Sequence, residues 1–462
     1  MVEIAFPIVL GLIMKNIKKI VTQGDARSVK AKKNILASFF IKAADTAVYL
    51  LLVPLTLGYL NAYEYGIWLT LNSMLAWINS FDIGLGNGLR NKLAIAIAED
   101  DKEKARAYVS TTFFMLIAII SVTYFVLSIV TECVDWYKIL NVTDTSVGKL
   151  SEVVQVSLFF FCINFVLKFI GNVYQALQLP AFNFLISFTG HLLSLIVIFI
   201  FTKMVIPGTL FWVATIYSAV PAIIYFIAYP VTFHKLYPYL APSFTCFKRE
   251  YLRDLLSLSV IFFVLQIASI VLFAISNLLI SNLFGPEQVT PYNIAYRYFS
   301  LVPMIFNMLV TPMWSAATDA YTKGDFEWIR RSNRKVVFLL LFFAVLLLLM
   351  VEVSGIVYHL WIGDKVEIPF MVSAMMSIYI MIYIWSLSYS YFLNGIGRLR
   401  LQMVCTITAA VFFYPVCYFW GIRFGVVGIL IGMCIVNLPG AIVNTIQFNK
   451  AMSKTDHGIW AK

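Results

Sequence analysis

Lys42, Asp45, Lys168, His191 and Arg297 each stand inside a long apolar stretch of the sequence. A charge placed in hydrocarbon costs on the order of 3 kcal/mol, so such groups face water, a partner or a ligand. Gathered at one place, Lys42, Lys168 and Arg297 would make a cationic lumen for an anion, Arg acting as a bidentate fork and Lys as a point charge. Asp45 follows Lys42 by three residues on the same helix face. It either neutralises that lysine or serves as a coupling site that binds a proton or sodium ion. His191, whose side-chain type titrates near neutrality, and Asp82, near a helix end, are further candidates for ion coupling. Arg90 and Lys92 come just after that helix end, where they would capture an anion at headgroup level or simply fix the topology.

Composition says what must position these residues. Of 462 residues, 61% are hydrophobic and 12% charged, and mean hydropathy is +0.86. Soluble domains carry about 25% charged residues, so this chain has too few charges to cover a soluble surface. It reads as an all-α polytopic membrane protein. About 20 apolar residues cross the bilayer core, and stretches of that kind fall at 34–59, 65–88, 108–131, 153–178, 181–202, 209–233, 255–284, 288–313, 333–357, 368–394, 399–420 and 424–448. Twelve transmembrane helices are therefore expected. Most of the 34 Lys and Arg fall on one side of this map, with Lys138, Lys149, Lys203, Lys365 and Arg423 on the other. By the positive-inside rule both termini are cytoplasmic, and the net charge of +11 calls for no nucleic acid. Trp68, Trp136, Trp212, Trp361 and Trp420 fall near the outer ends of the spans, as an interfacial belt would place them.

The sequence also repeats. Asp101-x-Glu103-x-x-Arg106 recurs as Asp325-x-Glu327-x-x-Arg330, and Gln175-Ala-Leu-Gln178 has its echo in Asn394-Gly-Ile-Gly397. These matches divide the chain into two six-helix lobes, 34–236 and 255–449, joined by a cytoplasmic linker at 237–254. A basic cytoplasmic arm at 1–33 precedes them and a cytoplasmic tail at 450–462 follows. Parallel repeats of this kind place a substrate path between the lobes. In the arm, Ile4–Met14 is too short to span, and its lysines follow the apolar run, the reverse of a signal peptide. Met14, followed by Lys-Asn-Ile-Lys-Lys, is as good a start as Met1.

Tyr63-Glu-Tyr-Gly-Ile-Trp68 and Phe81-Asp-Ile-Gly-Leu-Gly-Asn-Gly-Leu-Arg-Asn-Lys-Leu-Ala94, with the apolar stretch before them and the 101–106 loop after them, carry a family resemblance. This part of the chain resembles the oligosaccharide repeat-unit flippases, the O-antigen and polysaccharide exporter type of the multidrug/oligosaccharidyl-lipid/polysaccharide (MOP) exporter superfamily. The second half resembles them in helix count and loop pattern. The resemblance implies a MOP-type fold and a substrate, a polyprenyl-diphosphate-linked oligosaccharide moved from the inner to the outer leaflet of the bacterial plasma membrane for O-antigen or capsule synthesis. It also implies membrane lipids and polysaccharide polymerase or ligase machinery as partners. The basic lumen would then meet a diphosphate. Moving its two negative charges outward through an inside-negative potential gains about 2.3 kcal/mol per charge per 100 mV.

Two other classes compete. A cation-coupled multidrug antiporter of the same superfamily would use Asp45, yet would favour acidic over basic cavity residues. A membrane-embedded polymerase or acyltransferase would need an acid–base constellation, and the longest expected outer loop, 131–152, has no histidine. The chain therefore reads as a transporter and not an enzyme. No cofactor or metal is called for: Gly84-Leu-Gly86-Asn-Gly88 has no preceding strand and no Walker lysine, and the six cysteines (Cys133, Cys162, Cys246, Cys405, Cys417, Cys434) include no C-x-x-C pair. Gly428-x-x-x-Gly432 reads as a site of close helix packing.

Overall fold

The structure, a computed structural model, describes residues 26–78, 85–143, 147–177, 179–204, 209–256 and 275–461. Among these residues the secondary structure is helical throughout, as it must be where lipid offers the backbone no hydrogen bonds. The first half contains α1 (Ala26–Tyr59), α2 (Ala62–Leu75), α3 (Leu85–Ala98), α4 (Lys102–Cys133), α5 (Leu150–Leu167), α6 (Phe169–Ala176), α7 (Pro180–Lys203) and α8 (Leu210–Pro230). A connecting segment carries α9 (Arg249–Leu256). The second half contains α10 (Ile275–Phe284) and then α11 (Val289–Phe299), α12 (Leu301–Thr322), α13 (Phe326–Glu352), α14 (Ser354–Ile362), α15 (Phe370–Gly395) and α16 (Arg400–Met452). Nine helical stretches among the described residues are long and apolar enough to cross a bilayer. Large apolar side chains such as Phe125, Phe226, Phe338 and Leu360 point outward, the surface a lipid solvent rewards. This is a multi-pass membrane protein.

One of those stretches, α16, is a hairpin. Phe424 and Gly425 interrupt it, and Gly425 takes φ +65, a left-handed conformation that favours glycine. Its arms then pack back to back. A Cβ on Gly432 would come within 2.8 Å of Cys417 Cα, and one on Gly428 within 2.0 Å of the Trp420 carbonyl oxygen. The close packing expected of this G-x-x-x-G pair is what the backbone shows.

Several helices are shorter than expected. The span expected at 65–88 ends at Leu75, and Leu85–Ala98 forms a helix of its own. The glycine-rich motif thus opens α3 instead of closing a helix, and Gly88 lets the Leu255 carbonyl of α9 approach to 2.4 Å of where a Cβ would be. The span expected at 288–313 breaks after Phe299. Pro303 cannot donate to that residue's carbonyl and its ring clashes there, which ends α11 one turn earlier. Most of the span expected at 255–284 lies outside the described residues. Trp68, expected at an interface, is 2% exposed because α2 runs inside the bundle; its ring lies 5.5 Å from that of Tyr217.

The repeat has a structural counterpart. Asp101 caps α4 by accepting the Lys104 amide at 2.9 Å, and Asp325 caps α13 by accepting the Trp328 amide at 2.9 Å. Arg106 Nε then donates to the Ala241 carbonyl at 2.9 Å, while Arg330 donates to the Met452 carbonyl. In each half, the same motif starts a long helix and ties it to the chain leaving that half.

The halves meet where α2 packs on α11 and, further, along α1. Within the first half it lies against α7, and α8 packs on α5 and α7. Hydrogen bonds joining the halves concentrate at the end where α1 finishes, here called the far end; α16 finishes at the opposite, tail end. At the far end, Thr290 donates to the Ala62 carbonyl (2.7 Å), Trp361 Nε1 to that of Leu50 (3.0 Å) and Ser281 to that of Leu140 (2.6 Å). Gly66 makes this closure possible, since a Cβ there would sit 1.8 Å from the Pro286 carbonyl oxygen.

Candidate functional site

Four of the residues singled out by sequence come together between the halves. Asp45 on α1 is 2% exposed. It accepts from Lys42 Nζ at 3.0 Å, and His191 Nδ1 of α7 lies 2.6 Å from its other oxygen. The arrangement follows from helical geometry: Lys42 and Asp45 share a face of α1, and α7 runs along that helix. Burial explains why the carboxylate needs both partners. Lys42 is only partly committed. Its side chain remains 45% exposed and its ammonium lies 5.9 Å from the Phe184 ring centroid.

Tyr49, one helical turn beyond Asp45, extends the cluster. Its ring centroid is 5.4 Å from that of His191, and the Arg297 guanidinium of α11 stands over the same tyrosine ring, 4.3 Å from its centroid. Arg297 belongs to the last turn of α11, where a cation suits the helix dipole. Ser300, which follows the helix, donates to the Arg297 carbonyl at 2.9 Å. Tyr49, Tyr65 and Tyr217 are its electrostatic neighbours. Tyr217 is hydrogen-bonded to Thr56 at 2.8 Å. Arg297 Nη1 and the Tyr65 hydroxyl, by contrast, are buried with no hydrogen-bond partner among the described residues. Two buried donors left open beside each other are costly unless a ligand or water completes them, and both suit an anion.

Lys168 occupies the break between α5 and α6, where it is exposed. Arg90 is exposed and Lys92 half-buried on α3. Asp82 lies outside the described residues. Tyr49, Tyr65 and Tyr217 were not singled out by sequence. The signal available was Tyr65 inside the Tyr63–Trp68 motif; Tyr49 and Tyr217 looked like ordinary apolar-face residues.

With this geometry in view, comparison with known proteins is informative. The family model for polysaccharide biosynthesis proteins matches residues 31–317, and the MatE model matches 262–419. The chain belongs to the polysaccharide biosynthesis protein family, within the MOP superfamily. A Yersinia pseudotuberculosis protein named for O-antigen export is 22% identical over 82% of this chain and 87% of its own length. The inward-facing conformation of a multidrug-resistance MATE family transporter of the MOP superfamily matches with TM-score 0.75 at 17% identity, over 89% of this chain and 95% of that one. An outward-facing conformation from the same superfamily matches with TM-score 0.63 at 18% identity, over 94% and 98%. The MOP-type fold expected for this family member is thereby shown.

Proposed function

We propose that this protein is a flippase that carries polyprenyl-diphosphate-linked oligosaccharide repeat units from the inner to the outer leaflet of the bacterial plasma membrane, for surface polysaccharide synthesis. The observation that carries this reading is the pair of buried, unpartnered donors, Arg297 Nη1 and the Tyr65 hydroxyl, at the meeting of the two halves. An anion such as a diphosphate would satisfy both, with the half-exposed Lys42 ammonium adding charge nearby. The O-antigen export relative supports a glycolipid as the cargo.

In this reading residues 34–236 and 255–449 are two lobes that rock about the linker at 237–254, and both termini are cytoplasmic. The far-end hydrogen bonds close the outer side, which fits the better match to the inward-facing relative. Cargo enters from the inner leaflet, its diphosphate meets Arg297, and its lipid tail stays in the bilayer. Arg90 and Lys92, on α3, and Lys168 would guide the anion toward that point. Breaking the far-end bonds while closing the tail end delivers it outward. The membrane potential favours this direction for an anion. Repeat-unit polymerase or ligase machinery would take over the delivered cargo.

A second reading has its own observation. Asp45, enclosed between Lys42 and His191, is built like an ion-coupling carboxylate and would serve a cation-coupled drug antiporter. One experiment separates the two: flipping of a fluorescent polyprenyl-diphosphate oligosaccharide in proteoliposomes under an imposed potential. Potential-dependent flipping that is lost in Arg297→Ala and weakened in Lys42→Ala is the expected result. Background-rate flipping in liposomes that exchange a cationic dye for protons would give the site to the antiporter.

A further inference from the structure

The second half contains a cavity of about 190 Å³ between α15 and the two arms of α16, toward the tail end. Its polar lining comes from Ser386, Ser390, Gln402, Thr406, Asn437 and Asn444. None of these residues carries a charge, so a charged ligand would be buried there without a counter-ion.

Hydrogen bonding within the wall is lopsided. Asn444, 2% exposed, spends its amide hydrogens on the Ser386 and Ser390 hydroxyls, each at 3.0 Å. Ser390 donates to the Ser386 carbonyl (2.9 Å), Thr406 to that of Gln402 (2.8 Å) and Asn437 to that of Met433 (2.8 Å). The side-chain oxygens of Asn444 and Gln402 are left buried with no partner among the described residues. Such a wall presents acceptors and asks for hydroxyl donors.

Tyrosines connect this cavity to the cationic site. Tyr383 lines the cavity and is hydrogen-bonded to Asn307, which also accepts from Tyr391 at 2.6 Å. Tyr296, next to Arg297 in sequence, is an electrostatic neighbour of both Tyr383 and Tyr49. Tyr383 at the cavity and Tyr296 beside Arg297 are aromatic rings with polar tips, and ring faces of this kind suit the C–H faces of sugars.

We infer that the cavity is a carbohydrate subsite that receives an uncharged sugar residue of the cargo while Arg297 holds the diphosphate. As a cargo subsite it rests on the flippase reading; as a glycoside-binding cavity it stands on the wall itself. Cys405 also lines the cavity and gives the test a reporter. In purified protein with Cys405 as its one cysteine, the rate of N-ethylmaleimide labelling is measured with a panel of methyl hexopyranosides and methyl N-acetylhexosaminides, and melting temperature is followed in parallel. At least one neutral glycoside should slow labelling about threefold and raise the melting temperature, its phosphate ester should do neither, and Gln402→Leu, which leaves the Asn444–serine bonds in place, should remove both effects. No response to any glycoside by either readout overturns the inference. So does protection by sodium chloride and not by choline chloride, which would make the cavity a cation site. Glycoside protection in a protein that fails to flip the fluorescent glycolipid would leave the cavity as a sugar site and remove the flippase reading instead.

Discussion

The Arg297 guanidinium lies 4.3 Å from the centroid of the Tyr49 ring, so the second half's buried cation rests on an aromatic face supplied by the first half. A desolvated contact of this type is worth about 2 kcal/mol or more, and it orients the guanidinium while leaving Nη1 open. The ring face matters more than the hydroxyl. Tyr49→Phe should flip the fluorescent glycolipid within about twofold of the parent protein, and Tyr49→Ala should lose on the order of tenfold. Arg297→Lys should behave like the alanine variant, because an ammonium cannot reproduce the flat fork. Equal rates for Tyr49→Phe and Tyr49→Ala in the proteoliposome assay would show that the contact does not orient the arginine.

Asp45 and His191 make a second test of how the site is held together. Their 2.6 Å contact joins α1 to α7, and Asp45 is buried with Lys42 on its other oxygen. Removing one member of such a group leaves the others unsatisfied, at about 1–3 kcal/mol. Asp45→Asn and His191→Leu should each lower thermal stability by that order, and the double variant should cost less than their sum. Strict additivity in the melting experiments would mean that the contact contributes nothing. A response of flipping to external pH that is the same in both single variants as in the parent protein would also take ion coupling away from this pair.

How much of this was legible follows from what each residue's position depends on. The membrane class and most helix positions are local properties of apolar runs, and the break at Phe424 and Gly425 falls at the first residues of the expected span 424–448, next to its boundary with 399–420. Asp45 with Lys42 was legible because both sit on one helix. His191 joining them was not, since it depends on α7 running beside α1. Tyr65 and Tyr217 acquire their role only because Arg297 arrives between them from the other half, 80 or more positions away in sequence. The expected helix at 65–88 ended early at Leu75 although its residues remain largely apolar, and hydropathy alone has no means of marking that end.

Gly66 gives the alternating-access scheme a specific check. It sits inside the Tyr63–Trp68 motif, and a Cβ there would lie 1.8 Å from the Pro286 carbonyl oxygen. Backbone cannot yield as a flexible side chain does, so Gly66→Ala should push the far end apart. The expected outcome is a fall in flipping of at least tenfold, with faster labelling of a cysteine placed at Thr290, whose hydroxyl now bonds the Ala62 carbonyl. Unchanged labelling with lost flipping would point to damage elsewhere, and unchanged flipping would show that this closure is not part of the cycle.

Arg106 and Arg330 test the repeat itself. Each stands five residues after an aspartate cap, and each donates to a carbonyl of the chain leaving its half, Ala241 in one case and Met452 in the other. A charged donor to a partly buried carbonyl is worth about 1.5–3 kcal/mol. Arg106→Ala and Arg330→Ala should therefore destabilise the protein by similar amounts. Their effects should add, because the two ties share no partner. Lysine at either position should recover only part of the loss, since a single ammonium lacks the planar fork of the arginine. Denaturation in detergent of the parent, the two alanine variants, their double variant and the two lysine variants is the measurement. A large loss at one position with none at the other would mean that the repeated motif has kept its structural role in one half alone, and strong non-additivity would mean that the two ties are energetically coupled.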